Sequence, residues 1–386
     1  MRICVLTPRF PFPETGGDVL RINNIARHLK AEGHELTLVS FYERCPDLKA
    51  ASGLYDHIHA IKRSRMESVS YSLLYLLTGR PLQCGYYHSR RFWRLFKSVM
   101  ETEKPERYIA HLLRMTPYLE KAKVEKMSTV EMTDALSRNY QLASKTNGIS
   151  LKRSIYAIEK PLIKRYEKAV LGRFPKVVVV SRADKHYLEN ITRRECPSLF
   201  VYTNGVRAYA RAGRSYDTNK ICFIGNMRTL QNQDAVMNFA ANIFPIIKRQ
   251  IPGATFHIVG AEPPRFIREL ARTNKSIYVT GYVESPEEYI SDSCVAVAPV
   301  RIASGIQNKV LIAMGCELPV VITSLLSASI PELTDGLNCL IAKDQEEFAL
   351  KCVSLMRDHD SRDRIAKAGY DLIKKKYSWG NTLKGY

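Results

Sequence analysis

Short apolar runs and longer amphipathic stretches alternate from the first residues of the chain onward. Residues 2–6 form an apolar run, and a loop rich in proline and glycine separates it from a helical pattern at residues 19–32. A second apolar run follows at residues 35–41. A strand, a glycine-rich turn, a helix and another strand in this order predict a βαβ unit, which implies a parallel sheet covered by helices.

The same pattern restarts near Lys220. An apolar run at 221–224 is followed by a loop at 225–233, a helical pattern at 234–250 and a strand pattern at 254–259. Both halves of the chain therefore predict doubly wound α/β domains, in which ligands bind outside the carboxyl ends of the strands. Further apolar runs predict additional strands at 277–280, 294–299 and 319–323.

The region between the two patterns predicts a connection. Residues 151–170 have the pattern of a long basic helix, residues 177–181 that of a strand, and residues 202–219 that of a linker. A chain of 386 residues is long for a single hydrophobic core, which favours two domains. We place the first domain at 1–205 and the second at 206–373.

Positive charge is concentrated in the first part of the chain. The formal net charge is +20, with 35 Lys and Arg against 20 Asp and Glu in residues 1–200 and 23 against 18 in the rest. Residues 80–99 and 152–173 interleave basic with large apolar side chains. This combination suits an anionic membrane surface, although two solvated helix faces would also produce it. No nucleic-acid-binding motif accompanies the charge, so we expect no nucleic-acid partner.

Cysteines and apolar segments bear on the compartment. The nine cysteines are scattered without a CxxC pair, and no His cluster has metal-ligand spacing, which predicts reduced, mostly buried thiols and no bound metal. The amino-terminal segment lacks the pattern of a signal peptide, and no apolar run approaches the roughly 20 residues of a membrane-spanning helix. These observations predict a cytoplasmic protein.

Ordered sequence blocks along nearly the whole chain resemble those of family 4 retaining glycosyltransferases. The blocks are EMTDALSRNYQ and SRADKHYL within 131–188, then CFIGNM, NQDAVMNFA, PGATFHIVGAEPP, VTGYV, VAVAPVRIASGIQNKVLIAMG and LPVVIT. They are most similar to a bacterial branch that builds exopolysaccharides and other surface glycans. The resemblance implies the GT-B fold, an α/β architecture in which two Rossmann-like doubly wound domains face each other across a cleft. It also implies that a helix at 374–386 crosses back onto the first domain.

The resemblance implies a hexosyltransferase that acts with retention. A sugar would pass from a UDP- or GDP-sugar to a lipid-linked or polysaccharide acceptor in surface polysaccharide or lipopolysaccharide synthesis. The protein would work peripherally on the inner face of the cytoplasmic membrane. The resemblance implies no cofactor, no side-chain nucleophile and no metal ion.

The second domain carries the residues that the resemblance assigns to the nucleotide-sugar donor. A helix opening near Gly305 would place its free N–H groups and its positive end on a diphosphate. Lys309 would be a fixed cation there, and Arg228 a second one, with Arg301 as an alternative. A solvated helix lysine is the other interpretation of Lys309, and Arg228 has a similar surface alternative. The remaining donor-site residues are Gly225, Gly260, Ser304, Gly305, Ile306, Gln307, Asn308 and Ile312.

The first domain contributes a glycine pair and several polar side chains. Gly16 and Gly17 allow a backbone to approach a ligand without a Cβ in the way, and the resemblance places them over the donor phosphates and the acceptor. A tight surface turn is the alternative. His111 is assigned a catalytic or sugar-orienting role, although a lone histidine is often structural. Further acceptor-side candidates are Arg114, Glu131 and Asp134.

Two positions depart from the family pattern. The family has two glutamates separated by seven residues, and this chain has Ser304 and Ile312 there. The branch that is most similar also lacks the first glutamate but keeps the second, which often binds the nucleotide ribose. Without this second glutamate, a charge-assisted hydrogen bond to the ribose, worth about 1.5 to 3 kcal/mol, is lost. The alternative to an active transferase is therefore a non-catalytic GT-B scaffold or a partner subunit of another glycosyltransferase.

Overall fold

The computed structural model describes residues 1–14, 16–43, 45–143, 151–209, 215–301, 307–327 and 330–386. Within these residues the chain divides into two compact units. The first consists of Met1–Thr203 with Gly385–Tyr386, and the second of Asn204–Lys384. Most of the segment predicted to cross back, residues 374–384, is thus counted with the second unit, and only its last two residues with the first.

The first unit is built on a single parallel sheet. Its strands are β1 (Arg2–Thr7), β2 (Glu35–Tyr42), β3 (His57–Lys62), β4 (Arg107–His111), β5 (Ser128–Thr133), β6 (Lys176–Val179) and β7 (Leu199–Val201). Over the described residues these seven strands lie in the order β3-β2-β1-β4-β5-β6-β7. The helices are α1 (Gly17–Ala31), α2 (Leu48–Ser52), α3 (Arg65–Leu77), α4 (Leu82–Tyr86), α5 (Arg90–Thr102), α6 (Thr116–Ala122), α7 (Leu136–Ala143), α8 (Leu151–Arg173) and α9 (Arg182–Thr192), with short 3-10 turns at Leu113–Met115 and Glu125–Met127.

The second unit repeats this architecture. Its strands are β8 (Asp217–Ile224), β9 (Thr255–Val259), β10 (Ile277–Gly281), β11 (Ser293–Ala298), β12 (Val320–Thr323) and β13 (Leu340–Ala342). In the part of the unit that the structure describes, these six strands are parallel and lie in the order β10-β9-β8-β11-β12-β13. The helices are α10 (Leu230–Asn238), α11 (Phe244–Gln250), α12 (Arg265–Thr273), α13 (Pro286–Ile290), α14 (Asn308–Gly315), α15 (Ser324–Ser327), α16 (Gln345–Arg357), α17 (His359–Leu372) and α18 (Trp379–Thr382), with wider π turns at Phe239–Ile243 and Ile373–Tyr377.

Local sequence explains where these elements begin. All six residues of β11 are buried, as expected for a parallel strand that is covered by helices on both faces. Asp344 caps α16 by accepting a hydrogen bond of 2.8 Å from the Glu347 backbone N–H. The Glu347 carboxylate in turn accepts one of 2.8 Å from the Lys343 N–H. The first bond satisfies one of the N–H groups that a helix start otherwise leaves without partners, and the second ties the Glu347 side chain to the residue before the cap.

The two parallel sheets confirm the predicted α/β class with two Rossmann-like domains, but one predicted helix is different. The helix expected at 234–250 begins earlier, at Leu230, and is divided into α10 and α11 by the π turn. Pro245 lies in the first turn of α11. Because proline lacks an N–H and its ring clashes with the preceding turn, a continuous α-helix cannot pass through it without distortion.

The aromatic part of the basic stretch at 80–99 belongs to the core. Phe92 and Phe96 on α5 are fully buried, and the Phe92 ring stacks on Phe41 with centroids 4.2 Å apart. Arg90 and Arg91 on the same helix remain exposed. Phe92 and Phe96 are therefore not available to a membrane surface, because α5 turns its apolar side toward the sheet.

Two further predictions concern cysteines and membrane spans. All nine cysteines are free, and eight of them are buried, with Cys45 exposed. This confirms the prediction of mostly buried cysteines. Among the residues that the structure describes, no helix combines the length and the apolar character needed to cross a bilayer.

Candidate functional site

Each sheet has one point where the strand order reverses. In the first unit the chain runs outward from β1 through β2 to β3 and then returns to β4 on the other side of β1. In the second unit the reversal lies between β8 and β11. The loops that leave neighbouring strands there diverge and open a crevice, which is where ligands bind in doubly wound sheets. Gly16, Gly17 and Arg114 follow β1 or β4, and Gly225, Arg228, Arg301 and Lys309 follow β8 or β11. Of the other described candidates, Asp134 and Gly260 follow the neighbouring strands β5 and β9, and Glu131 lies within β5.

The loops after β8 and β9 are in direct backbone contact. The Gly225 N–H donates a hydrogen bond of 3.0 Å to the Val259 carbonyl. Gly260 has a φ of +154°, and a Cβ at this position would lie 1.9 Å from the Gly225 carbonyl oxygen. Glycine is therefore required at 260 by the packing of one loop on the other. This requirement holds independently of any donor contact.

Lys309 lies in the first turn of α14, next to the end of β8. Its Nζ donates a hydrogen bond of 2.9 Å to the side-chain oxygen of the buried Gln307 and lies 5.6 Å from the centre of the Phe223 ring. Burial lowers the pKa of Lys309 to about 8, because desolvation disfavours the charged ammonium. A cation in such a place would gain strongly from an anionic ligand.

The helix that carries Lys309 begins at Asn308, which is exposed. The sequence places its opening slightly earlier, near Gly305, but Ser304, Gly305 and Ile306 lie outside the described residues. Ile312, one turn into α14, is partly buried and packs against the apolar core of the second unit. The side chain at the position of the family glutamate is thus held by apolar neighbours.

Both candidate arginines of the second unit form ion pairs. Arg228 donates from Nε to the Glu262 carboxylate. Arg301 forms a two-point contact with Asp234, with Nε 3.0 Å from one oxygen and a terminal nitrogen 2.5 Å from the other. Both guanidinium groups are more than half exposed, and exposed pairs contribute little free energy. A diphosphate could therefore compete with either carboxylate for its arginine.

In the first unit the glycine pair forms the start of α1. Gly16 has a φ of +104°, which favours glycine, and a Cβ there would lie 3.1 Å from a terminal nitrogen of Arg9. Gly17 opens onto free space. Asp18, in the first turn of the helix, is paired with Arg9. The helix end thus combines free backbone N–H groups with a movable arginine, which is a suitable environment for an anion.

His111 ends β4 at this same edge of the sheet. Its side chain is buried, and neither ring nitrogen has a hydrogen-bond partner among the described residues. Burial lowers its pKa to about 3; Asp18 opposes this shift, and the positive charges of Arg21, Arg114 and Arg9 add to it. The imidazole is therefore neutral at physiological pH. In that state it can donate one hydrogen bond and accept another.

The pKa of His111 predicts an acid-sensitive first unit. The unfolded chain binds a proton near pH 6.5 and the folded chain only near pH 3. The free energy of unfolding should therefore fall by about 1.4 kcal/mol per pH unit as the pH drops through this window. In His111→Gln this slope should be smaller, as measured by denaturant unfolding at several pH values. His186→Gln, an exposed histidine on α9, is the control and should match the wild type. Equal slopes in all three proteins would contradict the assignment of this pH dependence to His111.

The acceptor-side candidates differ in their surroundings. Glu131 is fully buried and binds Arg21 through both carboxylate oxygens, at 2.8 and 3.0 Å. The Arg114 guanidinium lies over the Tyr87 ring, 5.2 Å from its centre. Asp134 is exposed, and desolvation by the surrounding protein, reinforced by Asp184, raises its pKa to about 6. Glu131 therefore connects β5 to α1 inside the unit.

Arg21 was not a sequence candidate, although it is the fully buried partner of Glu131. A signal existed in the helical pattern of α1, where Arg21 falls on the same buried side as Ile22 and Ile25. A charge on a buried helix face requires an opposite charge nearby. The sequence could therefore predict that Arg21 has a partner, but not which acidic residue it is.

The comparisons first establish the class of fold. A glycosyltransferase from Rickettsia africae ESF-5 superposes over all of this chain and 96% of its own, with a TM-score of 0.67 and 14% identity. The match to Anabaena HepE, solved with UDP, covers 100% of this chain and 98% of the HepE chain, with a TM-score of 0.65 and 12% identity. A variant of S. aureus TarM was solved with fondaparinux, α-GlcNAc-glycerol and UDP. Its match covers 99% of this chain and 98% of the TarM chain, with a TM-score of 0.66 and 11% identity. These glycosyltransferase structures give the chain the GT-B fold.

A family model matches part of the second unit. Residues 218–358 match the family described as Glycosyl transferases group 1. The matched segment begins in β8 and ends just after α16, so it contains Arg228, Gly260 and Lys309. Over these residues the second unit is similar to glycosyltransferase group 1 domains. No curated protein matches the chain significantly.

Proposed function

We propose that this protein is a retaining glycosyltransferase that moves a hexose from a UDP- or GDP-sugar to a lipid-linked or polysaccharide acceptor in surface polysaccharide synthesis. The observation that carries the proposal is the position of Lys309. It is a desolvated cation within the matched segment, and it lies where the strand order of the second sheet reverses. UDP in the HepE and TarM structures supports a nucleotide-sugar donor, and the TarM ligands support a glycan acceptor.

The second unit would hold the donor through its diphosphate. Lys309 and the start of α14 face the phosphates, and Arg228 and Arg301 exchange their carboxylate partners for phosphate oxygens. Guanidinium groups bind such oxygens in a two-point geometry. Because these fixed cations supply the positive charge, we propose that no divalent metal is needed.

The reaction would proceed on one face of the sugar. The acceptor hydroxyl forms a bond to the anomeric carbon on the side from which the diphosphate leaves, and the hydroxyl proton passes to the departing phosphate oxygen. Lys309 stabilises the negative charge that develops on this phosphate. The neutral imidazole of His111 orients a sugar hydroxyl, and Gly16 and Gly17 leave room for the phosphates at α1. Arg114 and Asp134 contact the acceptor in this scheme. Catalysis then rests on positioning and electrostatic stabilisation.

A second candidate function is a non-catalytic GT-B scaffold or partner subunit. One observation favours it: Ile312, at the position of the family glutamate, packs into the core of the second unit and offers no carboxylate to a ribose. The two candidates differ in whether the wild-type chain binds a nucleotide sugar.

Calorimetric titration with UDP- and GDP-sugars, with and without EDTA, tests the proposal. We expect saturable binding by the wild type in both buffers, and a change of less than about tenfold in affinity for Ile312→Glu, because backbone groups already hold the ribose. Leu311→Met, a buried neighbour on α14, controls for general effects of substitution in this helix. Binding that appears only in Ile312→Glu would favour the scaffold, and binding that EDTA abolishes would refute the metal-free donor site.

Association with the inner face of the cytoplasmic membrane is the remaining part of the proposal. A lipid-linked acceptor is confined to that surface, and the excess of basic residues in the first part of the chain is attracted to anionic lipids. The protein would bind peripherally.

A further inference from the structure

One helix of the first unit exposes a continuous apolar side. On α3 the side chains of Met66, Val69, Leu73, Leu74 and Leu77 are 83%, 59%, 58%, 49% and 84% exposed; we refer to these five residues as the α3 stripe. Their spacing places them along one side of the helix. The buried residues of α3 are instead Ser68 and Tyr75.

The inner side of α3 already has its partners. The Tyr75 hydroxyl is hydrogen-bonded to His88 at 2.9 Å, and the Tyr71 ring lies 4.4 Å from the His88 ring, measured between centroids. A Cβ at Gly85 of α4 would lie 2.5 Å from the Tyr71 carbonyl oxygen. The helix is therefore fixed with its apolar side outward. Leaving several large apolar side chains exposed is unfavourable in water, and contiguous patches of this kind mark binding surfaces.

Arginines flank the α3 stripe. Residues 57–100 contain eight Lys and Arg but a single acidic residue, Glu67. The Glu67 carboxylate accepts a hydrogen bond of 2.8 Å from the Ser89 hydroxyl, which brings the start of α5, with Arg90 and Arg91, beside the first turn of α3. Both arginines are exposed and form no ion pair within the described residues. Arg80, just beyond the other end of α3, is also exposed.

We propose that the α3 stripe is a membrane-docking surface that inserts into the outer region of an anionic bilayer, with Arg80, Arg90 and Arg91 on the lipid phosphates. Apolar area combined with cationic flanks is the combination that binds amphipathic helices to such surfaces. A second copy of the chain fits less well, because a symmetric pairing of two stripes would bring like charges together without acidic partners. The inference deepens the membrane association proposed above, but it can be measured without sugar transfer.

Vesicle sedimentation with phosphatidylglycerol and phosphatidylcholine mixtures tests the surface. In Leu73→Gln/Leu77→Gln we expect binding to anionic vesicles to weaken at least about tenfold, because two large apolar groups no longer enter the bilayer. The loss should persist at about 0.5 M salt, where charge attraction is screened. Glutamine is a good helix former, so α3 should remain folded. Arg90→Glu/Arg91→Glu should weaken binding mainly at low salt.

Two exposed leucines of the second unit provide a matched control. Leu230 on α10 and Leu350 on α16 are 65% and 50% exposed, and Leu230→Gln/Leu350→Gln should bind vesicles as the wild type does. Equal binding by the stripe variant and the wild type would overturn the inference. So would a wild-type dimer, seen in sedimentation equilibrium, that the stripe variant abolishes without a change in vesicle binding.

The donor titration separates this inference from the proposed function. The stripe variant should bind the nucleotide sugar with wild-type affinity, since α3 is distant in sequence from every donor-site residue of the second unit. If the wild type binds vesicles through the α3 stripe but binds no donor, the docking surface stands and the transferase proposal fails. If the wild type binds the donor and the stripe variant sediments with vesicles like the wild type, the docking-surface inference fails and the transferase proposal stands.

Discussion

Lys309→Met should lower turnover at saturating donor by at least about a hundredfold. Loss of one preorganised electrostatic stabiliser typically costs about 2.7 to 4 kcal/mol of transition-state free energy. Lys309 is a desolvated cation whose pKa of about 8 leaves it mostly protonated at neutral pH, so its charge is available when the diphosphate leaves. Methionine keeps the unbranched shape of the side chain and removes only the charge. Steady-state kinetics with the donor identified by titration would measure the effect.

The pH profile of the same enzyme gives an independent test of Lys309. For the wild type, kcat/KM should fall above about pH 8, as the free enzyme loses the Lys309 proton. The residual activity of the methionine variant should lack this decline. Lys343→Met, at an exposed lysine of the same unit, should retain wild-type turnover and pH dependence. Wild-type turnover in Lys309→Met would remove this residue from the mechanism, and the proposed function would need a different leaving-group stabiliser.

Breaking the buried ion pair of the first unit should have the largest effect on stability. In Arg21→Met the Glu131 carboxylate remains buried, and among the described residues the Tyr386 hydroxyl, 3.1 Å away, is the side-chain donor left to it. An uncompensated buried charge costs about 3 to 5 kcal/mol. For a unit of this size that corresponds to a decrease of roughly 10 °C in melting temperature. Differential scanning calorimetry would measure it.

The double variant Arg21→Met/Glu131→Leu distinguishes lost charge compensation from lost packing. It removes both charges together, and replacement of a buried pair by apolar groups is often close to neutral. Its stability should therefore exceed that of Arg21→Met. An exposed pair provides the comparison: disruption of Lys97–Glu101 on α5 by Lys97→Met should change stability by less than about 1 kcal/mol. A double variant as unstable as Arg21→Met would show that side-chain shape, not charge, is what matters at this position.

The sequence predicted those parts of the fold that depend on local periodicity. The strands at the start of each half, the glycine-rich turn before α1 and the long helix that became α8 follow directly from runs of apolar residues and from turn chemistry. The class of fold then follows, because repeated βαβ units allow few arrangements other than a parallel sheet with helices on both faces. Lys309 was singled out by the resemblance of its segment to the family, and the structure places it in the first turn of α14.

The features that the sequence missed depend on contacts between distant residues. Glu131 was a candidate acceptor contact because it follows an apolar strand, but its partner Arg21 is 110 positions away in the chain. Arg228 was assigned as a second cation at the diphosphate, and its pairing with Glu262 spans 34 positions. The aromatic residues of α5 were assigned to a surface, because periodicity shows which side of a helix is apolar but not whether the sheet or the solvent faces it.

The contact between Gly225 and Gly260 restricts how this protein can vary over evolutionary time. A side chain at 260 would displace the loop after β8, which includes Arg228, even if no donor touches either glycine. Loss of activity in a library of substitutions at 260 would therefore report the fit between two loops, and it would carry no information about the nucleotide. The clash involves a backbone oxygen of residue 225, so no substitution at 225 relieves it. Glycine at 260 is therefore an architectural constraint that the protein would retain even after losing its chemistry.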